Sequence, residues 1–398
     1  MTDIDVERER ALTPGCANVL HLNHAGASLM TQPVLDAMTG HLQREAATGG
    51  YEAAEEAAPA VEHTYDALAT LLGCNRNELA LTDSATRAWD SALYSLPIEP
   101  QDRILISRAE YGSNAIALLQ LQKRTGCQLV LVDDDEHGQI DLAALERALA
   151  ADDVALVSLV HVPTQSGLVN PAAEVGSLCR EAGVILALDA AQSVGQMPVD
   201  VAEIGCHVLA GSGRKYLRGP RGTGFLYMHE SLLEHVEPVM LDMKAANWVA
   251  PDRYEVRSDA RRFETWEADI AARIGLGVAV DQALDLGLDA IARRTALLAE
   301  NLRARLAEIP GVTVRDRGER LCAITTFTVD GNDPVEIKAR LRNEGINVSV
   351  AVTTQARLDR TFEAADSVVR ASVHYVTTDD ELARFVDAIS LIACAPAS

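Results

Sequence analysis

From about residue 78 to 230, short β-rich apolar runs alternate with amphipathic stretches. "RILIS" (103–107), "QLVLVD" (128–133), "VALVSLVHV" (154–162), "GVILALD" (183–189) and "GFLYM" (224–228) predict strands. "SNAIALLQLQKR" (113–124) and "PAAEVGSLCREA" (171–182) carry helical spacing between them. The strand-like runs are apolar throughout instead of alternating. That pattern describes strands covered on both faces, and so a largely parallel sheet. After about residue 267 the pattern changes to two long helical stretches, "ADIAARIGLGVAVDQALDLG" and "LDAIARRTALLAENLRARLAEI". The strand-like "VTVRD", "LCAITTFTV", "INVSV" and "VVRASVHYV" follow, with "PVEIKARLRNEG" and "DDELARFVDAISLI" as further helices. The expected organisation is an N-terminal segment (1–20), a large domain over 21–266 with a mostly parallel sheet, and a smaller C-terminal α/β domain over 267–398.

Composition narrows the class. A chain of 398 residues has room for two domains. Its net charge of −23 argues against nucleic acid or an anionic membrane as partner. The local cluster "RKYLRGPR" can still hold a small anion. No apolar run approaches the roughly 18–20 residues that span a bilayer. The start, "MTDIDVERER", is the reverse of a signal peptide, so a cytoplasmic protein is expected. Seven cysteines lie singly, without CxxC or metal-ligand spacing. They read as reduced core thiols, and no metal is expected.

The candidate chemistry starts in "GSGRKYLRGPRGTGFLY", from Gly211. The spacing fits neither a P-loop nor the GxGxxG dinucleotide fingerprint. Lysines are scarce: Lys123, Lys215, Lys244 and Lys338 are the only four, against 31 arginines. Lys123 and Lys338 fall on helical faces and Lys244 in a polar, irregular stretch. Lys215 alone follows a buried-looking strand, "CHVLAGS". Ligands of open α/β sheets bind outside the carboxyl ends of strands. A lysine desolvated there loses its proton more easily and becomes a nucleophile or base. "GVILALDAAQSVG" drives another apolar strand into Asp189, 26 residues before Lys215, which leaves room for one βαβ crossover. Such a carboxylate either caps a turn or meets a buried cation. In "LTDSATRAWDSAL", Ser84, Ala85 and Thr86 follow a strand and begin a helix. They serve equally as an ordinary cap or as a phosphate site. A phosphate, an amine and a carboxylate below a ring together describe pyridoxal 5′-phosphate.

With these motifs in order, the sequence resembles the class V aminotransferase group of fold-type I pyridoxal-phosphate enzymes, from "LNHAGASLMTQPV" (22–34) to "VRASVHYVTTDDEL" (369–382). The resemblance implies an α/β fold of that type and a homodimer acting on a small amino acid. It places Lys215 of "SGRK" at the lysine that binds the cofactor covalently, and Asp189 against the pyridinium. Ser84, Ala85, Thr86, Ser212 and Arg214 would hold the phosphate. Gln192 and Thr164 would approach the phenolic oxygen, with Tyr111 over the ring. Arg370 would clamp the substrate carboxylate, as suits a bidentate guanidinium. Asn23, Tyr51 and His374 would complete the substrate side.

Three departures from relatives sharpen the expectation. "INVSVAVTTQARL" has no cysteine where desulfurases carry a mobile one. "RFETWE" (262–267) replaces "RFExGT", altering an intersubunit phosphate contact. Thr164 stands in place of an asparagine. "REAATGGYEAAEEAAP" (44–59) resembles ergothioneine-pathway lyases, with Tyr51 either at the active-site mouth or packed in a helix–turn–helix. The resemblance therefore implies β-elimination from an S-conjugated cysteine or its sulfoxide. Transamination and epimerization are the alternatives, and a non-catalytic binding protein is a third class, opposed by the intact Lys/Asp/Arg set.

Overall fold

The computed structural model describes residues 4–363 and 365–394. Seven strands form the main sheet: β1 (Leu79–Thr82), β2 (Arg103–Ser107), β3 (Gln128–Val132), β4 (Val154–Val160), β5 (Ile185–Asp189), β6 (Val208–Ser212) and β7 (Gly224–Met228). Their order is β1-β7-β6-β5-β4-β2-β3. All run parallel except β7, which is antiparallel to both β1 and β6. The continuous apolar runs have the cause expected of them. Leu186 and Leu188 enter one core cluster, while Ala187 between them enters the cluster on the opposite face. Fully burying each such leucine stabilises the fold by about 1.5–3 kcal/mol.

A second sheet, wholly antiparallel, contains β8 (Val312–Val314), β9 (Ile324–Val329), β10 (Ser349–Val352) and β11 (Ser367–Ser372) in the order β8-β9-β11-β10. Helices Leu288–Ala307 and Pro334–Asn343 pack on it. The N-terminal segment is tied to this part of the molecule. Arg10 pairs with Glu381 at 2.8 Å, and Leu20–His21 pairs in parallel with Ile346–Asn347. An isolated bridge joins Asn23 to Ser372, which brings Asn23 beside the strand that carries Arg370. Helix Ile270–Leu286 lies against helices Gln32–Thr48 and Ala58–Leu72, with Thr64 Oγ1 donating to the Arg273 carbonyl at 3.0 Å. Among the described residues, no helix is long and apolar enough to cross a membrane.

Two backbone features shape the edge where β1, β5 and β6 end. Because β7 runs backwards, its first residue, Gly224, is the partner of both Thr82 and Ser212. A Cβ there would stand 2.3 Å from the Ser84 carbonyl carbon and 2.6 Å from the Ala85 nitrogen. These are main-chain atoms, so no side-chain rotation can relieve the clash. Further on, Arg218 adopts φ +62° although it is not glycine. Its buried guanidinium, donating to the Leu29 carbonyl, Tyr375 Oη and Thr13 Oγ1, holds the loop after Lys215 in that conformation.

Gly224→Ala is expected to lower unfolding stability by about 1–3 kcal/mol through overpacking. It should also weaken anion binding at residues 84–86. Urea melts and phosphate titration of the variant check both outcomes.

Candidate active site

The carboxyl ends of β1, β5 and β6 converge on a cavity of about 260 Å³. Its lining includes Ser84, Ala85, Thr86, Tyr111, Thr164, Asp189, Gln192, Ser212, Arg214 and Lys215. Ten of the residues expected from the sequence thus meet in one place. A larger surface groove of about 1080 Å³, lined by Arg76, Glu78, His235 and Tyr254 among others, contains no lysine.

Lys215 follows β6 and Asp189 ends the adjacent β5, so the crossover between them sets their proximity. Burial pushes the Lys215 ammonium down to about 7; Asp189 opposes this, while Arg214 and Arg370 add to it. Near neutrality a large share of the amine is therefore unprotonated and nucleophilic. The buried Asp189 carboxylate accepts from the Ala191 N–H and from Asn114 Nδ2, both at 2.9 Å. Asn114 Nδ2 also donates to Glu110 Oε1 at 3.1 Å. Burial is the main force that pushes the Glu110 carboxyl up to about 7, with Asp189 adding to it.

The opposite end of the cavity is built for an anion. Ser84 caps helix Ala85–Leu93 by accepting from the Arg87 N–H at 3.2 Å, and the first N–H groups of the helix have no intrahelical acceptor. Arg214 Nη1 donates to Ser212 Oγ at 2.9 Å, and burial draws its guanidinium below the usual arginine range. Arg221, passed over in the sequence, lies in the lining beside them.

A buried network borders the remaining side. Gln192 Nε2 donates to the Ala25 carbonyl at 2.9 Å and to Thr164 Oγ1 at 2.8 Å, leaving its buried Oε1 without a partner. Arg370 Nη1 donates to both the carbonyl and Oγ1 of Thr164, at 2.8 and 2.6 Å, and Nη2 donates to Asn23 Oδ1 at 3.2 Å. Burial brings the Arg370 guanidinium down to about 10. Arg370 and Asn23 thus adjoin the cavity through Thr164, and Arg370 Nε is a further orphaned buried donor. Unsatisfied buried polar groups are costly. Two of them around an amine, a carboxylate and an anion cradle suit a polar ligand. The phosphate, ring nitrogen, phenolic oxygen and aldehyde of pyridoxal 5′-phosphate match these donors and acceptors.

Two expected substrate residues are placed elsewhere. His374 is fully buried, with Nε2 on the Tyr216 carbonyl at 3.0 Å and Nδ1 accepting from the Tyr375 N–H at 2.9 Å. Both ring nitrogens are occupied, so it braces the chain after Lys215 and has no atom left for a ligand. Tyr51 is 76% exposed and borders a different shallow pocket with Lys244 and Trp266, so it is neither packed nor at this cavity's mouth. In "RFETWE", Glu264 is structural: buried, it accepts from Tyr65 Oη and the Leu81 N–H and pairs with Arg273 at 3.0 Å. Asn114 and Glu110 were missed, although the i, i+4 spacing within "EYGSN" puts them together where a helix begins.

Comparison with known proteins agrees with this geometry. The family model for Aminotransferase class-V matches residues 20–385. A probable hercynylcysteine sulfoxide lyase from Mycobacterium tuberculosis is 34% identical over 96% of this chain and 92% of its own. A probable cysteine desulfurase from Methanothermobacter thermautotrophicus is 27% identical over 98% of each chain. The apo structure of a cysteine desulfurase from Thermococcus onnurineus superposes with a TM-score of 0.91 at 25% identity, covering 99% of this chain and 98% of that one. The chain therefore belongs to the class V aminotransferase family, with the α/β fold of fold-type I, and is an enzyme whose cofactor is pyridoxal 5′-phosphate.

Proposed function

We propose that this enzyme breaks the C–S bond of an S-conjugated cysteine, or of its sulfoxide, by β-elimination. The observation that carries this reading is a thiol-free cavity. Among the described residues no cysteine lines it, although the amine, the carboxylate and the anion cradle are present. The segment at about 345–357, which corresponds to the one where desulfurases carry a mobile cysteine, packs through Gln355 against the start of helix Gly112–Thr125. The Gln355 carbonyl lies 2.6 Å from where a Gly112 Cβ would sit. The name of the mycobacterial relative points the same way.

When bound, pyridoxal 5′-phosphate supplies an electrophilic carbon for the substrate amine and a ring that accepts electrons released at Cα. Ser84, Ala85, Thr86, Ser212, Arg214 and Arg221 would hold its phosphate. Asp189 would keep a proton on the ring nitrogen, Gln192 and Thr164 would serve the phenolic oxygen, and Tyr111 would serve the ring. Arg370, steadied by Asn23, binds the substrate carboxylate. Lys215, as the free amine, takes the Cα proton. The Cβ–S bond then breaks and sulfur leaves with its electron pair, as a thiolate from a thioether or a sulfenate from a sulfoxide. Water converts the remaining three-carbon unit to pyruvate and ammonia. Cysteine desulfuration, named for other relatives, is the second reading. It requires an enzyme thiol to receive the sulfur and leaves alanine.

A homodimer belongs to the same reading. Tyr51 and Trp266 are 76% and 57% exposed and border one pocket, an exposed aromatic patch of the kind that interfaces between chains cover.

Four outcomes are expected. Incubation with S-substituted cysteines should yield pyruvate and ammonia in equal amounts. Alanine with a protein-bound persulfide would establish desulfuration instead, and keto-acid-dependent amine transfer would establish transamination. Cofactor uptake by the apo protein, followed by visible absorbance, should accelerate as pH rises through about 7, because deprotonation of Lys215 creates the nucleophile. Borohydride reduction and peptide mass spectrometry should then find the pyridoxyl group on Lys215, and a label on another residue would overturn its role. Sedimentation velocity should return twice the chain mass.

A further inference from the structure

Behind Asp189 lies a second carboxyl that the proposed chemistry does not use. Glu110 is 2% exposed and immediately precedes the N-cap of helix Gly112–Thr125. Its Oε1 accepts from the Tyr111 N–H at 2.9 Å and from Asn114 Nδ2 at 3.1 Å, and its Oε2 meets Ser158 Oγ at 2.6 Å. The same Asn114 nitrogen donates to Asp189 Oδ2 at 2.9 Å. A primary amide has two N–H bonds in one plane. With one on Glu110 and the other on Asp189, the rotation of Asn114 is set from both ends. Flipping the amide would turn its oxygen towards two carboxyl oxygens. Only the Ala191 N–H, on Oδ1, would then still hold Asp189.

We propose that Glu110 is a positioning residue, which fixes the Asn114 amide and through it aims the Asp189 carboxylate into the cofactor cavity. The inference rests on Asp189 being the partner of the cofactor's ring nitrogen. Oε1 accepts its two hydrogen bonds whether or not Oε2 carries a proton, so the role calls for an oxygen at that place and not for a charge. Burial already favours the neutral form. Glutamine preserves the arrangement: its amide oxygen replaces Oε1, and its NH₂ faces Ser158 Oγ, which can accept. Alanine removes the acceptor and leaves the Asn114 and Tyr111 donors unpaired in a dry site.

The test uses Glu110→Gln, Glu110→Ala, Asn114→Ala, the double alanine variant and Asp189→Ala. The dissociation constant for pyridoxal 5′-phosphate is measured by equilibrium dialysis, and the bound cofactor's visible spectrum is titrated with pH to follow its ring nitrogen. Glu110→Ala and Asn114→Ala should each raise the constant about tenfold, ~1.4 kcal/mol, and lower the pH at which the ring nitrogen loses its proton. The double variant should be no worse than either single one, as for two residues acting in series. Glu110→Gln should stay within about threefold of the parent, in the range of a retained hydrogen bond. Loss of fold stability alone would not move the spectral titration. If Glu110→Ala does not fold, Glu110→Gln and Asn114→Ala decide. An unchanged constant in Asn114→Ala, or a Glu110→Gln variant as impaired as Asn114→Ala, overturns the proposal. So do additive losses in the double variant. A normal titration in Asp189→Ala sinks the reading of Asp189 and this inference with it. An altered titration there beside a normal one in Glu110→Ala sinks this inference alone.

Discussion

A primary amine and a carboxylate are held out of water together at the carboxyl edge of one sheet. Everything else at the site answers to that constraint. Desolvation removes the proton from Lys215 at a pH where an exposed lysine would keep it. The buried Asp189 carboxylate beside it is met by N–H donors on both oxygens. One environment therefore desolvates the amine and meets the oxygens of its neighbouring carboxylate with hydrogen bonds.

The architecture creates that environment through chain direction. Parallel strands bring the ends of β5 and β6 side by side, and the reversed β7 links β6 to the edge strand β1 without placing a side chain in the way. Gly224 is the consequence, since its neighbours are main-chain atoms of the anion cradle. The loop after Lys215 is held in a strained conformation by the Arg218 guanidinium and braced by His374. A buried arginine and a fully buried histidine serve here to hold backbone, not to bind ligand.

The second sheet contributes by delivering Arg370. Its guanidinium crosses to Thr164 on the main-sheet side and to Asn23 on the N-terminal segment. Three separate stretches of chain thus share one cation. Arg370 spends its Nη1 donors on Thr164, so engaging a carboxylate requires the remaining Nη2 or Nε hydrogens, or an exchange of partners. Substitution of Thr164 would therefore disturb the substrate side and, through Gln192, the cofactor side at once.

Much was legible in the sequence because the signals were local. A buried parallel strand must be apolar on both faces, so "VALVSLV" and "GVILALD" announced the sheet, and Lys215 and Asp189 stood out as ionisable residues at strand ends. Ser84 to Thr86 were legible as a helix start following a strand. Residues whose role depends on what comes across from elsewhere were not. His374 shares a motif with Arg370, yet the turn after β11 buries it against Tyr216 while Arg370 faces Thr164. Tyr51 was drawn to the site by its neighbours in sequence, but helix Gly50–Glu56 leaves it on the outer surface. Glu110 shows why: spacing alone puts it beside Asn114, but only the packing of a helix start onto β4 and β5 turns that pair towards Ser158 and Asp189. Periodicity and residue type by themselves determined the sheet, the amine and its carboxylate, because burial leaves a mark on each residue separately. Tertiary structure alone decided which donors meet that carboxylate, because hydrogen-bond partners distant in sequence are chosen by the direction each side chain takes after the elements have packed.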